Sequence, residues 1–256
     1  MQSMASLSRN FKPKSNIVEQ KLDLYCDECK RKYDYYKFEN GQEFKHGCDC
    51  SMIRAAEATV REKKQKHINY LFSQSNVNKS LQEATVNNYQ PQNESQDNAK
   101  QTAIEYVKTF SVDNPKSLIL QGSYGTGKSH LAYAIAKAVK AQGYTVAFMH
   151  IPKLMDRIKA TYNKDAVETT DELVKLLSEL DLLVLDDMGV ENTEHTLNKL
   201  FSIVDNRSGM NNIFTTNYSD KELKQNQNWQ RINSRMKMNA RKTKVLGEDY
   251  RERDAW

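Results

Sequence analysis

The segment Gly122-Ser123-Tyr124-Gly125-Thr126-Gly127-Lys128-Ser129 leaves this chain few ways to fold. It fits the spacing G-x-x-x-x-G-K-[ST], and its surroundings fit as well. An apolar run, Ser117 to Gln121, precedes it and suits a buried parallel strand. Lys128 to Gln142 follows with helical spacing and stops at Gly143, a helix-ending residue. Glycines let the backbone wrap closely around phosphates and turn its N–H groups inward. Lys128 supplies a compact positive charge for β- and γ-phosphates, and the Ser129 hydroxyl is placed to coordinate Mg²⁺. The helix that starts there adds its positive end. Gly122 to Ser129, with His130 in the first turn, therefore form the candidate nucleotide-binding set.

A second apolar run, Leu182 to Leu185, ends in Asp186 and Asp187. Carboxylates at the end of such a strand stand at the carboxyl edge of the sheet, where α/β proteins bind ligands. Asp186 would hold the hydrated Mg²⁺, and Asp187 would orient or deprotonate an attacking water. Asn217, after the run 212–216, can reach the same water or the γ-phosphate, although an asparagine there also makes an ordinary turn. Arg207, Arg231, Arg235 and Arg251 are candidates for neutralising transferring phosphate. Taken singly, each reads as a solvated or salt-bridged surface arginine.

Further runs at 145–149 and, more weakly, 244–246 complete a set of strands. Helical stretches fall at 152–161, 170–180, 194–207, 220–224 and 228–239. The alternation predicts an α/β fold with a parallel five-stranded sheet.

The region before residue 80 differs in kind. All four cysteines lie there, as Cys26-x-x-Cys29 and Cys48-x-Cys50. Two thiolate pairs on two turns can close a tetrahedral Zn²⁺ site, with His46 as an alternative fourth ligand. A segment this short has too little core to fold without such a staple. Residues 1–52 are read as this small cysteine-rich domain, 53–79 as a connecting helix and linker, and 80–256 as the nucleotide-binding domain. Lys and Arg number 38 against 33 Asp and Glu, a net charge of +5 that permits nucleic-acid binding without requiring it. No apolar run of membrane-spanning length and no secretory leader is seen, so a cytoplasmic location is expected.

Several segments together resemble DnaC/DnaI-type helicase loaders of the AAA+ class. They are Ala84 to Pro91 with Asn93 to Gln96, the two nucleotide motifs with Gly189 following, Leu200 to Arg207, Ile213 to Asn217, Arg231 to Met236, and Gly247 to Arg251. The resemblance covers about residues 80–253 and implies an AAA+ ATPase core that takes ATP and Mg²⁺. It assigns Arg235 as an arginine finger acting on a neighbouring copy, and Arg251 as an arginine acting within its own subunit. It implies self-assembly, a DnaB-type replicative helicase gripped by the N-terminal module, and single-stranded DNA met near Ile151 to Tyr162. Lys153, Arg157, Lys159 and Tyr162 there interleave charge with an aromatic, as strand binding requires. Many AAA+ proteins carry Asp-Glu where this chain has Asp186-Asp187, and the shorter second carboxylate implies slow hydrolysis. Two other readings are an IstB-like transposition ATPase and a phage factor that captures and blocks a host helicase or its loader.

Overall fold

Odd and even positions of each short apolar strand enter different cores, and this builds the larger part of the molecule in three layers. The computed structural model describes residues 16–73, 79–163, 165, 168–189 and 193–253. Contacts divide the chain into Met1–Lys64 and Gln65–Trp256, a boundary that falls inside one helix.

The first unit contains β1 (Ile17–Tyr25), β2 (Lys32–Phe38) and β3 (Glu43–His46), an antiparallel sheet in that order, followed by the start of α1 (Cys50–Ser73). The sheet is largely exposed. Phe38, Cys48 and Cys50 are the buried hydrophobic residues of this unit among those described. Its interior is thus largely the cysteine cluster itself. The connecting helix, expected from residue 53, starts earlier, so that Cys50 is its first residue.

The second unit continues with α2 (Lys79–Gln82), α3 (Glu94–Lys108), β4 (Ser117–Gln121), α4 (Lys128–Ala141), β5 (Val146–His150), α5 (Ile151–Ala160), α6 (Thr170–Ser178), β6 (Leu182–Met188), α7 (Glu194–Asn206), β7 (Asn212–Thr216), α8 (Asp220–Leu223), α9 (Gln227–Met236), β8 (Ala240–Lys244) and α10 (Tyr250–Arg253). The five strands run parallel in the order β5-β6-β7-β4-β8. Leu118, Leu120, Phe148 and Val184 join the core under α3 and α4. Ile119, Met149, Leu183 and Phe214 join the core shared with α5, α6, α7 and α9. Period-two alternation with both faces covered is the pattern of a buried parallel sheet. No described helix is long and apolar enough to cross a membrane.

The last strand corrects the expectation of 244–246. The sheet instead takes Ala240–Lys244, a charged edge strand whose Thr243 is buried while Arg241, Lys242 and Lys244 face out. Edge strands tolerate such residues because one side remains in water. Val245 follows as a buried plug, and its N–H donates to the Gln121 carbonyl at 2.8 Å. In the stretch that follows the expected connector, Ala84 and Tyr89 are buried and α3 begins at Glu94. Residues 74–78 lie outside the described set.

Arg207 is a second correction. It is only 1% exposed, among the most buried side chains of the protein, and is not a surface arginine. Its guanidinium donates to the Leu177 carbonyl at 2.9 Å, the Leu180 carbonyl at 2.8 Å, the Asn211 carbonyl at 2.7 Å and Asn212 Oδ1 at 2.6 Å. These acceptors come from the end of α6 and the start of β7, so one side chain closes the end of the sheet remote from the phosphate loop. Burial pushes its pKa down to about 10, which leaves it charged at neutral pH. Arg207→Met should lower unfolding stability by about 3–5 kcal/mol, because several buried acceptors lose their donor. A urea denaturation series reads this out, and a midpoint unchanged from wild type would contradict it.

Candidate nucleotide site and cysteine cluster

The carboxyl ends of β4, β5, β6 and β7 open into a cavity of about 760 Å³. Parallel strands place their terminal polar residues here, and α4 points its amino end into the same space. Gly127 caps α4 at φ 86° and offers no side chain to its N–H groups, which therefore remain available to an anion. Thr126 is buried, and its hydroxyl donates to the Ser123 carbonyl at 3.0 Å. Tyr124 stands exposed on the loop's crest. Gly122 donates its N–H to the Thr216 carbonyl at 3.2 Å and so ties the loop to β7.

Lys128 is buried, and its ammonium donates to the Ser123 carbonyl. Burial pulls its pKa down to about 8, against the opposing pull of Asp186 and Asp187. Asp186 is also buried, which holds its carboxyl above the usual range against the opposing pull of the Thr215 and Ser129 hydroxyls. The Thr215 hydroxyl donates to Asp186 Oδ1 at 2.7 Å. Ser129 and Asp186 line the same cavity as Lys128, the pair a phosphate-bound divalent cation needs. Asp187 adopts φ 67°, a backbone region costly for a residue with a Cβ. Its N–H donates to Thr215 Oγ1 at 2.9 Å, which holds that conformation. The turn aims the carboxylate so that Asn217 Nδ2 donates to Oδ1 at 3.0 Å.

The segment before α3 closes another side. Tyr89 donates its hydroxyl to the Thr126 carbonyl at 2.8 Å, and its ring lies so close to Gly127 that a Cβ there would meet Cε2 at 2.4 Å. His130 Nε2 lies 3.0 Å from the Thr85 carbonyl and 2.9 Å from Asn88 Oδ1, linking the first turn of α4 to the same segment. Arg251 lines the cavity, paired with Asp249. Arg235 is not among the lining residues. It sits on α9 with Nε 2.5 Å from Asp205 Oδ1, and Arg231 stacks 4.2 Å above the centre of the Phe201 ring.

Some contributors escaped the sequence reading. His150 ends β5 opposite Asp186, and its Nε2 lies 3.8 Å from Asp187 Oδ2. A polar residue closing an apolar strand, the same signal that pointed to Asp186, would have found it. Thr215 is the shared hydrogen-bond partner of both aspartates, and no local pattern sets it apart from Thr216.

In the first unit the four cysteine sulfurs lie within 4.8 Å of one another. Cys26 and Cys50 are 3.9 Å apart, and Cys29 and Cys48 3.8 Å. A tetrahedral ion with metal–sulfur bonds of about 2.3 Å would set its sulfurs about 3.8 Å apart, so the cluster has the dimensions of a metal site. His46 is not part of it.

A sequence profile described as IstB-like ATP binding protein matches residues 43–255. The chain belongs to the IstB-like ATP-binding family. Within it, the chain is 35% identical over 158 residues to the replicative helicase loader DnaC of Escherichia coli (strain K12), covering 61% of this chain and 63% of that protein. A crystal structure of the DnaC helicase loader superposes with a TM-score of 0.57 at 27% identity, covering 67% of this chain and all of that one. A crystal structure of DnaI gives a TM-score of 0.57 at 20% identity over 68% of this chain and 94% of that one, a likeness of fold. The IstB-like core here is thus an AAA+ ATP-binding fold. The aligned segment spans under two thirds of DnaC's own length.

Proposed function

We propose that this chain is an ATP-dependent loader that binds a DnaB-type replicative helicase and delivers it to single-stranded DNA at replication initiation. The observation that carries the reading is the gathering of Ser129, Asp186 and Lys128 on one cavity, in a fold related to DnaC. Residues 1–52 would be the helicase-gripping module, 53–79 the connector and 80–256 the ATPase.

The loop from Gly122 to Ser129, with Lys128, would bind the triphosphate. Ser129 and Asp186 would hold Mg²⁺, which would neutralise charge developing on the phosphates. Asp187, kept in place by Asn217 and by its strained turn, would accept a proton from the attacking water. Arg251 would act within the subunit, and Arg235, exposed on α9 away from its own cavity, would reach a neighbour's phosphate. Triphosphate binding then favours the assembled state, because only that state adds Arg235 from a second copy. Hydrolysis removes the contact and releases the helicase.

The four thiolates would hold Zn²⁺, consistent with their spacing and with the sparse core around them. For DNA, α5 buries Ile151, Leu154, Met155 and Ile158 and leaves Lys159 and the nearby Tyr162 exposed. Arg157 is engaged with Glu168. Lys153 is exposed as well, Lys159 lies 3.8 Å from Asp156 and the Tyr162 ring meets that of His195, and these three exposed side chains would be the first contacts for a strand.

The test is capture and loading. With Mg·ATP, the full chain should form a complex with a DnaB-type hexamer and place it on circular single-stranded DNA. Removal of residues 1–64 should abolish capture but leave ATP binding intact. Stimulation by a transposase on duplex DNA, without helicase capture, would assign the chain to transposition instead.

A further inference from the structure

Asp249 has no part in the chemistry outlined above, yet it touches the phosphate loop. Its carboxylate packs on Gly125 so tightly that a Cβ there would lie 1.7 Å from Oδ1 and 2.0 Å from Cγ. The same carboxylate takes a two-pronged pair of hydrogen bonds from Arg251, Nε to Oδ1 at 2.9 Å and Nη2 to Oδ2 at 2.6 Å. This is the geometry in which a guanidinium grips a phosphate. Both charges act on Lys128, Asp249 favouring and Arg251 opposing its protonation, so the pair lies within electrostatic reach of the lysine that serves the phosphates.

The two partners differ in freedom. Asp249 belongs to a tethered strap. Leu246 donates its N–H to Ser95 Oγ at 3.1 Å, and its carbonyl accepts from Asn93 Nδ2 at 3.0 Å and Gln96 Nε2 at 3.2 Å. Beyond Asp249, the Tyr250 N–H donates to the Gly125 carbonyl at 3.1 Å. The Asp249 side chain is 20% exposed and that of Arg251 71%. The carboxylate is therefore fixed to the loop, and the arginine is the partner able to swing.

We propose that Asp249 is a positioning residue that stands in for the terminal phosphate, holding Arg251 beside the loop until a triphosphate takes the arginine from it. The inference rests on the nucleotide reading of the cavity. A diphosphate offers no third phosphate to compete for the guanidinium and leaves the pair intact. A triphosphate must win Arg251 from Asp249, so the carboxylate sets how strongly the site prefers triphosphate over diphosphate.

The experiment is a fluorescence titration of wild type, Asp249→Asn, Asp249→Ala, Arg251→Ala and the double variant D249N/R251A, with magnesium and either a non-hydrolysable ATP analogue or ADP. Removing the competing carboxylate should raise the triphosphate-over-diphosphate preference roughly tenfold in both Asp249 variants. Arg251→Ala should lower that preference, and Asp249→Asn should have no further effect once Arg251 is gone. An unchanged preference in the Asp249 variants, a uniform loss for both nucleotides, or an effect that persists without Arg251 would each overturn the proposal while leaving nucleotide binding standing. Failure of the wild type to bind either nucleotide would instead remove the nucleotide reading itself.

Discussion

Lys128→Ala is expected to lose Mg·ATP affinity by a factor on the order of 10²–10³, and with it ATP turnover and nucleotide-dependent assembly. The ammonium is buried beside Ser123, with Asp186 and Asp187 within electrostatic reach. A charge facing phosphates in such a place is worth far more than at the surface. Alanine also removes the buried ammonium that offsets Asp186 and Asp187, so the cavity becomes more electronegative where a polyanion must enter. Lys128→Arg should rescue little, because a planar guanidinium cannot replace a compact ammonium in a snug loop. The depressed pKa adds a pH signature. Burial holds Lys128 near 8, and the phosphates need its protonated form. Affinity should therefore be flat below pH 8 and fall as pH rises above it, since binding must then first restore the proton. Calorimetric titration across this range, with light scattering for assembly, checks all of this. Wild-type affinity in Lys128→Ala would end the account.

The second large effect concerns the first unit. Purified protein should contain one zinc per chain by elemental analysis. A strong chelator, or Cys48→Ser, should collapse β1 to β3 while the AAA+ unit keeps its own unfolding transition. Binding energy at structural zinc sites of this kind is of order 10 kcal/mol, and it is folding energy, because the unfolded chain has no preformed site. Here the alternative supports are few, since Phe38 and two of the cysteines make up the buried hydrophobic residues of the unit among those described. The thiols are also unequal. Backbone N–H groups of Cys29 and then Glu28 pull Cys26 down to about 6, whereas burial pushes Cys50 up to about 12. Without a cation, four sulfurs this close would not all ionise. Hydrogen exchange of the strand amides before and after chelation is the direct measurement. Full protection in metal-free protein would show that the unit needs no ion.

Much of the nucleotide-binding half was readable along the chain because its signals are local. The runs 117–121 and 212–216 are short stretches with apolar centres, Leu118 to Leu120 and Ile213 to Phe214, and both are strands with those same limits. The phosphate loop has its own spacing, Asp186 and Asp187 follow directly from a strand, and the cysteine pairs lie within a short stretch. A pattern of this kind needs only the backbone's period and the chemistry of adjacent residues. The strand at 240–244 was hidden for the converse reason. Its residues are charged, and only pairing with β4 makes them a strand.

The rest depended on residues far apart in the chain. Arg207 looks like any arginine until packing brings the carbonyls of Leu177, Leu180 and Asn211 around it. Thr215 becomes the link between two aspartates, and His150 their neighbour, only through the order in which parallel strands assemble. Asp249 meets Gly125 because a strap tied to α3 brings the chain back across the phosphate loop. Sequence alone therefore determined the elements and the kind of chemistry, since period and residue type are carried by neighbours. Tertiary structure decided which charges are buried and which side chains share a site, because desolvation and hydrogen bonding depend on distances in space.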